Sequence, residues 1–122
     1  MKFWMLSFLK KYSNKFRYAF AGLFAGIRND SSILLQCIIG CCVILVCLFL
    51  HLTWFEWSLI ILLIGSIIAL EFINSAIETI VDMISPEYNV LAKKIKDYAA
   101  AAVLIMSIVA AIIGILIVGG KL

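Results

Sequence analysis

Three long apolar runs dominate this sequence and limit what the chain can fold into. They cover about residues 33–52, 57–84 and 98–118, and each is long enough to cross a bilayer as an α-helix, which takes about 20 apolar residues. Hydrophobic residues make up 66% of the 122-residue chain, against about 45–50% in soluble domains. The sequence therefore predicts an all-α membrane protein, with residues 1–122 forming one membrane domain that has three transmembrane helices.

The first 30 residues carry six of the ten Lys and Arg residues, interleaved with aromatic and aliphatic side chains. This mixture is typical of an amphipathic helix that lies on the membrane surface, and we expect one over residues 1–30. A disordered basic tail is the alternative. The first apolar run starts only near Ile33 and no small-residue cleavage site precedes it, which argues against a cleaved signal peptide.

The basic residues also predict an orientation. The connection at 51–56 has no Lys or Arg, whereas the connection between the second and third runs has three, and only Lys121 follows the third run. By the positive-inside rule, the N-terminus and the second connection are cytoplasmic and the C-terminus is outside. Trp54, Phe55 and Trp57 then lie at the outer interface, where aromatic residues are enriched.

Local signals predict where the third helix begins and ends. Ser85, Pro86 and Glu87 have the residue types of a helix N-terminus, so the helix is expected to begin near Pro86. Gly119 and Gly120 are a typical helix stop.

Four cysteines, Cys37, Cys41, Cys42 and Cys47, lie in the first apolar run. Cys37 and Cys41 share a helix face, so a soft-metal site is conceivable. We favour a packing role, because no second set of His, Cys or Met ligands is evident and cysteine behaves as a small apolar residue.

Polar residues form a stripe on the second predicted span. At 100° per residue they fall on one helix face; they are Glu71, Asn74, Ser75, Glu78 and Asp82. Carboxylates within a membrane are costly and usually functional. The alternative is that they reach the cytoplasmic interface or pair with nearby lysines, as we expect for Asp82. Glu71 lies about 21 Å below Trp57 along a helix, which favours a functional role for it and for Glu78.

The polar residues on the cytoplasmic side narrow the chemistry. The sequence has no HExxH motif, no zinc-type cysteine pairs and no GxxxxGK[ST] loop. Carboxylates that bind Mg²⁺, beside lysines that neutralise phosphates, are the ingredients of phosphoryl transfer. A small oligomeric ion or proton transporter is an alternative of another class, with Glu71 and Glu78 lining a water-filled path. A purely structural subunit would leave the buried charge unexplained.

The stretch at 71–82, E-F-I-N-S-A-I-E-T-I-V-D, resembles the signature E-x-x-N-[ST]-A-I-E-x-x-V-D of the prokaryotic diacylglycerol kinase and undecaprenol kinase family. The likeness is strong over about residues 69–105 and extends to the three-span layout. It implies a homotrimeric membrane lipid kinase of the bacterial inner membrane that uses ATP and Mg²⁺. Its active sites would lie between subunits at the cytoplasmic interface.

The resemblance also implies roles for individual residues. Glu71 matches the general base, Asn74 an active-site amide and Glu78 a Mg²⁺ ligand. Asp30 stands where the second metal carboxylate is usually Glu. The positions that match nucleotide contacts are Lys11, Tyr18, Glu87, Asn89, Lys96 and Asp97. Among these, Lys11 replaces an Arg of some members, and Asn89 replaces a common His.

Both substrates of such kinases present a primary hydroxyl at the membrane surface, so the stripe does not distinguish them. The stretch from Ser85 to Lys93 and the run Ala99–Ala102 are more similar to the Gram-positive undecaprenol kinases. The sequence therefore predicts undecaprenol as the substrate, with diacylglycerol as the alternative.

Overall fold

The structure is a computed structural model that describes residues 2–122, and it consists of four α-helices joined by short connections. These are α1 (Lys2–Asn29), α2 (Ser31–Leu48), α3 (Trp54–Ile84) and α4 (Val90–Lys121). Helices α2, α3 and α4 are long and apolar enough to cross a membrane, and the described part of the chain has no strand. The predicted fold class is confirmed. Met1, which belongs to the predicted surface helix, lies outside the described residues.

A single residue, Asp30, separates α1 from α2. Its Oδ1 atom accepts hydrogen bonds from the backbone N–H groups of Ser32 (2.9 Å) and Ile33 (3.2 Å), which makes it the N-cap of α2. Helix α2 therefore begins at Ser31, two residues before the apolar run. Residues 2–29 form an α-helix, none of whose residues is buried, so the alternative of a disordered tail is wrong.

The α2–α3 connection is a tight turn at what we call the His51 end of the molecule, the end that also contains Thr53 and Lys121. His51 adopts a positive φ of 53°, and Thr53 forms a capping box with Glu56. This cap lets α3 begin at Trp54, three residues earlier than the apolar pattern predicts.

The opposite end, which we call the Ser85 end, contains Asp30, Ser85 and Asn89. The prediction that the third helix begins near Pro86 is wrong. Ser85 instead ends α3, its backbone N–H donating to the carbonyl of Val81 (2.8 Å). Asn89 caps α4, its Oδ1 atom accepting from Leu91 N (2.8 Å) and Ala92 N (3.2 Å). The Ser85 hydroxyl donates to the carbonyl of Glu87 (3.2 Å) and does not cap a helix.

The predicted stop at Gly119 and Gly120 is also wrong, because α4 continues to Lys121. The Nζ atom of Lys121 lies 2.8 Å from the carboxylate of Glu56, and both side chains are less than one-quarter exposed. This ion pair joins the last turn of α4 to the first turn of α3. It stabilises a helix end that two glycines would otherwise disfavour.

Helix α3 packs against α4 along much of its length, and a small core of Cys47, Ile60 and Ile117 lies near the His51 end. Gly40 allows α2 to approach Ile64 closely, since a Cβ atom there would overlap that side chain. Beside this contact, α2, α3 and α4 border an open apolar groove of about 820 Å³. The groove has small residues on its α4 side, namely Ala110, Ala111, Gly114 and Gly119.

Candidate active site

The polar stripe on α3 runs from the interior of the helix bundle to the surface at the Ser85 end. Glu71 is the buried polar side chain of the described residues, at 7% exposure. Asn74 and Ser75 are partly buried, and Glu78 and Asp82 are exposed. Glu71 lies about 20 Å from the end of α3 at Ile84, for a rise of 1.5 Å per residue. The stripe therefore forms a polar path from the surface to a carboxylate within the bundle.

Asp30 joins this stripe through the corner between α1 and α2. The Ser75 hydroxyl donates a hydrogen bond to Oδ2 of Asp30, while Oδ1 caps α2. The Ser75 hydroxyl, helped by the backbone N–H groups of Ile33 and Ser32, holds the pKa of the Asp30 carboxyl below its ordinary value. The structure thus places an ionised carboxylate beside α3, although Asp30 and Ser75 are 45 residues apart in sequence.

A glycine contact supports the same corner. A Cβ atom at residue 26 would overlap the ring of Phe72, so Gly26 is what lets α1 approach α3 at this level. The backbone N–H of Asp30 also donates to the carbonyl of Gly26 (3.0 Å). The Gly26–Phe72 contact and the Asp30–Ser75 hydrogen bond therefore fix the corner against one turn of α3.

The surroundings of Glu71 include a residue that the sequence reasoning missed. The Gln36 side chain on α2 lies near the Glu71 carboxylate, and Asp30 and Glu78 are close enough to interact with that carboxylate electrostatically. In the sequence, Gln36 is an interruption near the start of the first apolar run. A lone amide on a spanning helix usually faces a polar partner, and that signal could have identified it.

Two buried acceptor atoms on the stripe have no hydrogen-bond partner within residues 2–122. They are Oε2 of Glu71 and Oδ1 of Asn74. The Nδ2 atom of Asn74 points the other way, 3.4 Å from Oε1 of Glu78. Unsatisfied buried polar atoms are costly and call for an explanation. Both atoms can accept hydrogen bonds from a ligand or a water molecule.

A second polar group surrounds a cavity of about 340 Å³ at the Ser85 end, between the end of α3 and the start of α4. Three of the predicted nucleotide contacts line it, namely Glu87, Asn89 and Lys96. The Nζ atom of Lys96 bonds to Asp82, which therefore pairs with a lysine as expected. The cavity combines the partly exposed ammonium group of Lys96 with polar groups of the α3–α4 connection.

Asp97 does not line this cavity. Its carboxylate lies 2.7 Å from Nζ of Lys93, one helical turn away on α4, and both side chains are largely exposed. Lys96 and Asp97, adjacent in sequence, therefore bond to different partners. Exposed pairs of this kind contribute about 0–1 kcal/mol and can be exchanged for a ligand at little cost.

Lys11 and Tyr18 lie on α1, away from the other candidate residues. For a helix rise of 1.5 Å, Tyr18 is about 18 Å and Lys11 about 28 Å along the helix from Asp30. Tyr18 is 72% exposed, and Lys11 is exposed too. Within one chain, the structure does not bring these two residues to Glu71.

The acidic and amide side chains around Glu71 form a candidate magnesium site. No group of three acidic, cysteine or histidine side chains in the described chain could hold a metal ion on its own. Mg²⁺ is usually bound by one or two carboxylates and completes its shell with water and substrate phosphates. Asp30 and Glu78 both lie near Glu71, and Asn74 has a free acceptor beside them, so the donors fit Mg²⁺ that arrives with a nucleotide.

Comparisons with known proteins show which family the chain resembles along most of its length. Residues 17–118 match the family model described as prokaryotic diacylglycerol kinase. The chain is similar to the undecaprenol kinase of Bacillus subtilis, at 35% identity over 93% of both chains. It is also similar to the diacylglycerol kinase of Haemophilus influenzae, at 35% identity over 75% of this chain and 78% of the relative. The diacylglycerol kinase of Escherichia coli K12 is 36% identical over 78% of each chain.

Proposed function

Because the chain belongs to the prokaryotic diacylglycerol kinase family and is therefore a lipid kinase, we propose that it transfers the γ-phosphoryl group of ATP to undecaprenol. Sequence identity does not distinguish the two substrates, because it is 35–36% both to the undecaprenol kinase and to these diacylglycerol kinases. The undecaprenol kinase, however, aligns over 93% of both chains, whereas the diacylglycerol kinases of Haemophilus influenzae and Escherichia coli align over 75–78% of this chain. Diacylglycerol is the second candidate substrate. A transporter does not fit a chain of this family.

One observation carries the proposed reaction, namely the buried carboxylate of Glu71 with its unpartnered Oε2 atom. A lipid alcohol keeps its chain in the bilayer, and its hydroxyl can reach a carboxylate just below the membrane surface. Glu71 then accepts the hydroxyl proton as the oxygen attacks the γ-phosphorus of ATP, and ADP leaves. Burial excludes water, which would otherwise compete as the acceptor of the phosphoryl group.

The other residues of the stripe position the reactants. Gln36 lies near Glu71 and is proposed to orient its carboxylate. The Asn74 amide donates to Glu78 through Nδ2 and offers a free acceptor at Oδ1. Asp30 and Glu78 are the proposed ligands of Mg²⁺. When bound, Mg²⁺ neutralises charge on the β- and γ-phosphates and orients them.

The nucleotide is proposed to occupy the cavity at the Ser85 end. Lys96 exchanges Asp82 for phosphate oxygens, because a triphosphate carries more negative charge than one carboxylate. Glu87 and Asn89 line the same cavity and offer polar atoms to the ribose and base, and Asp97 lies one residue beyond Lys96. On α1, Lys11 is proposed to contact phosphate and Tyr18 the nucleotide.

We propose that the protein lies in the inner membrane of a bacterial cell, as its family suggests, with the N-terminus in the cytoplasm as the positive-inside rule predicts. The described α1 and the α3–α4 connection then share the cytoplasmic side, where ATP is available. Asp30, Glu78 and Lys96 all lie at that end of the molecule.

We propose that the active unit is a homotrimer, with each site formed between subunits. The apolar groove on one chain has small residues that allow a second helix to pack closely. Lys11 and Tyr18 lie too far along α1 to meet Glu71 of their own chain. Subunits that are each inactive for a different reason should therefore complement one another when they are mixed.

Mixed trimers of Lys11→Ala and Glu71→Gln chains test this arrangement. We expect each variant alone to be inactive. An equal mixture should recover roughly a quarter of wild-type activity, because one site in four combines an intact Lys11 from one subunit with an intact Glu71 from its neighbour in a closed cyclic assembly. Activity is measured after the detergent-solubilised chains exchange. A mixture that is no more active than its components would contradict sites shared between subunits.

The substrate is tested with purified protein, labelled ATP and Mg²⁺ in mixed micelles that contain either lipid alcohol. We expect kcat/KM to be at least about tenfold higher for undecaprenol than for diacylglycerol, equivalent to about 1.4 kcal/mol of transition-state discrimination. A higher kcat/KM for diacylglycerol would reverse the proposed substrate. No transfer to either alcohol would contradict the proposed reaction.

A further inference from the structure

The hydroxyl of Ser75 bonds differently from the hydroxyls of Ser58 and Thr79 on the same helix. Serine and threonine within a helix usually donate back to the carbonyl four residues earlier. Ser58 does so to Trp54 (2.8 Å), and Thr79 does so to Ser75 itself (2.9 Å). The Ser75 hydroxyl instead crosses to another element and donates to Oδ2 of Asp30.

This cross-helix bond determines which way Asp30 faces. Oδ1 of Asp30 is committed to the N–H groups at the start of α2. With Oδ1 fixed, only Oδ2 can be directed towards the stripe, and Ser75 is the hydroxyl that holds it there. A single hydroxyl accounts for one lone pair of that oxygen, so Oδ2 keeps acceptor capacity for a further ligand.

From this geometry we propose that Ser75 is a positioning residue, whose hydroxyl holds the Asp30 carboxylate in the orientation that binds the nucleotide-associated divalent cation. The inference rests on the proposed function in one respect, the assignment of Asp30 as a metal ligand. Residues that orient a metal ligand commonly affect metal affinity by about 10–100-fold when they are removed.

Divalent cation binding by the purified full-length protein tests this directly, with Mn²⁺ as the probe in place of Mg²⁺. Electron paramagnetic resonance measures free Mn²⁺ in the presence of a non-hydrolysable ATP analogue and without lipid substrate. We expect Ser75→Ala to raise the Mn²⁺ dissociation constant about tenfold. Ser75→Thr keeps the hydroxyl and should stay close to wild type. Thr79→Val removes a neighbouring hydroxyl that bonds only within α3, and it should leave Mn²⁺ affinity unchanged.

A double variant separates positioning from a general loss of structure. Asp30→Asn should weaken Mn²⁺ binding, and adding Ser75→Ala should cause no further loss, because Ser75 acts only through Asp30. Additive losses would contradict the inference. Ser75→Cys, which keeps the side-chain size with a weaker donor, repeats the measurement if the alanine variant does not fold.

The outcomes distinguish this inference from the proposed function. Equal Mn²⁺ affinity in wild type and Ser75→Ala overturns the role of Ser75 and leaves the lipid kinase reaction standing. A wild-type protein that binds Mn²⁺ with the nucleotide but phosphorylates neither lipid alcohol contradicts the proposed substrates and leaves Ser75 supported. No Mn²⁺ binding by the wild type contradicts the metal role of Asp30 and the inference with it.

Discussion

Replacing Glu71 with glutamine should abolish lipid phosphorylation while the protein still binds ATP. The amide has nearly the same shape as the carboxylate but cannot accept the proton of the lipid hydroxyl. General-base catalysis contributes about 10²–10⁴-fold, so we expect kcat to fall by about 10³-fold. Steady-state transfer of labelled phosphate to undecaprenol measures this fall. Titration with a fluorescent ATP analogue should give a dissociation constant close to that of wild type.

Glu56→Gln is the matched control, because it makes the same chemical change on the same helix about 22 Å away. Glu56 pairs with Lys121 at the His51 end, so this variant should lose some stability but keep its kcat. If Glu71→Gln weakened ATP binding as much as it lowered kcat, Glu71 would be a nucleotide contact and not the general base. An active Glu71→Gln protein would exclude the general-base role altogether.

The fold follows from the sequence mainly because lipid imposes simple rules. A run of about 20 apolar residues has few alternatives to a spanning helix, and the described structure has three helices long and apolar enough to span a membrane, with a further helix before them. The boundaries differ because polar side chains, and not hydropathy, set them. Asp30, Thr53 and Asn89 each cap a helix. Helices α2 and α3 therefore begin two and three residues before their apolar runs, and α4 begins at Val90.

The candidate site was predictable to the extent that it lies on one helix. The spacing of Glu71, Asn74 and Glu78 places them on one face without any knowledge of tertiary structure, and their burial decreases towards the Ser85 end. The contacts of Gln36 with Glu71 and of Ser75 with Asp30 could not be predicted in this way. They depend on how α2 and the α1–α2 corner pack against α3, and no periodicity within α3 encodes that packing.

Replacing Glu78 with glutamine should produce a different defect from that of Glu71→Gln. The carboxylate of Glu78 lies at the exposed end of the stripe, where Asn74 bonds to it, and it is the proposed metal ligand nearest the nucleotide cavity. A neutral amide oxygen binds Mg²⁺ more weakly than a carboxylate does. We expect the Mg²⁺ concentration for half-maximal activity to rise by about 100-fold, with Mn²⁺ affinity in the ATP-analogue complex weakened in parallel. Kinetics over a range of Mg²⁺ at saturating lipid measure the shift.

Asp82→Asn is the control for Glu78→Gln, because it removes a carboxylate one turn further along the same face. Asp82 pairs with Lys96 across the helix connection, and in the proposed reaction that pair opens when phosphate binds. The control should therefore leave the Mg²⁺ requirement unchanged, and its effect, if any, should appear in the KM for ATP. An unchanged Mg²⁺ requirement in Glu78→Gln, or an equal shift in both variants, would show that Glu78 is not a metal ligand. Because Glu71→Gln should lower kcat and Glu78→Gln should raise the Mg²⁺ requirement, the two variants together assign base and metal ligand to carboxylates only two helical turns apart.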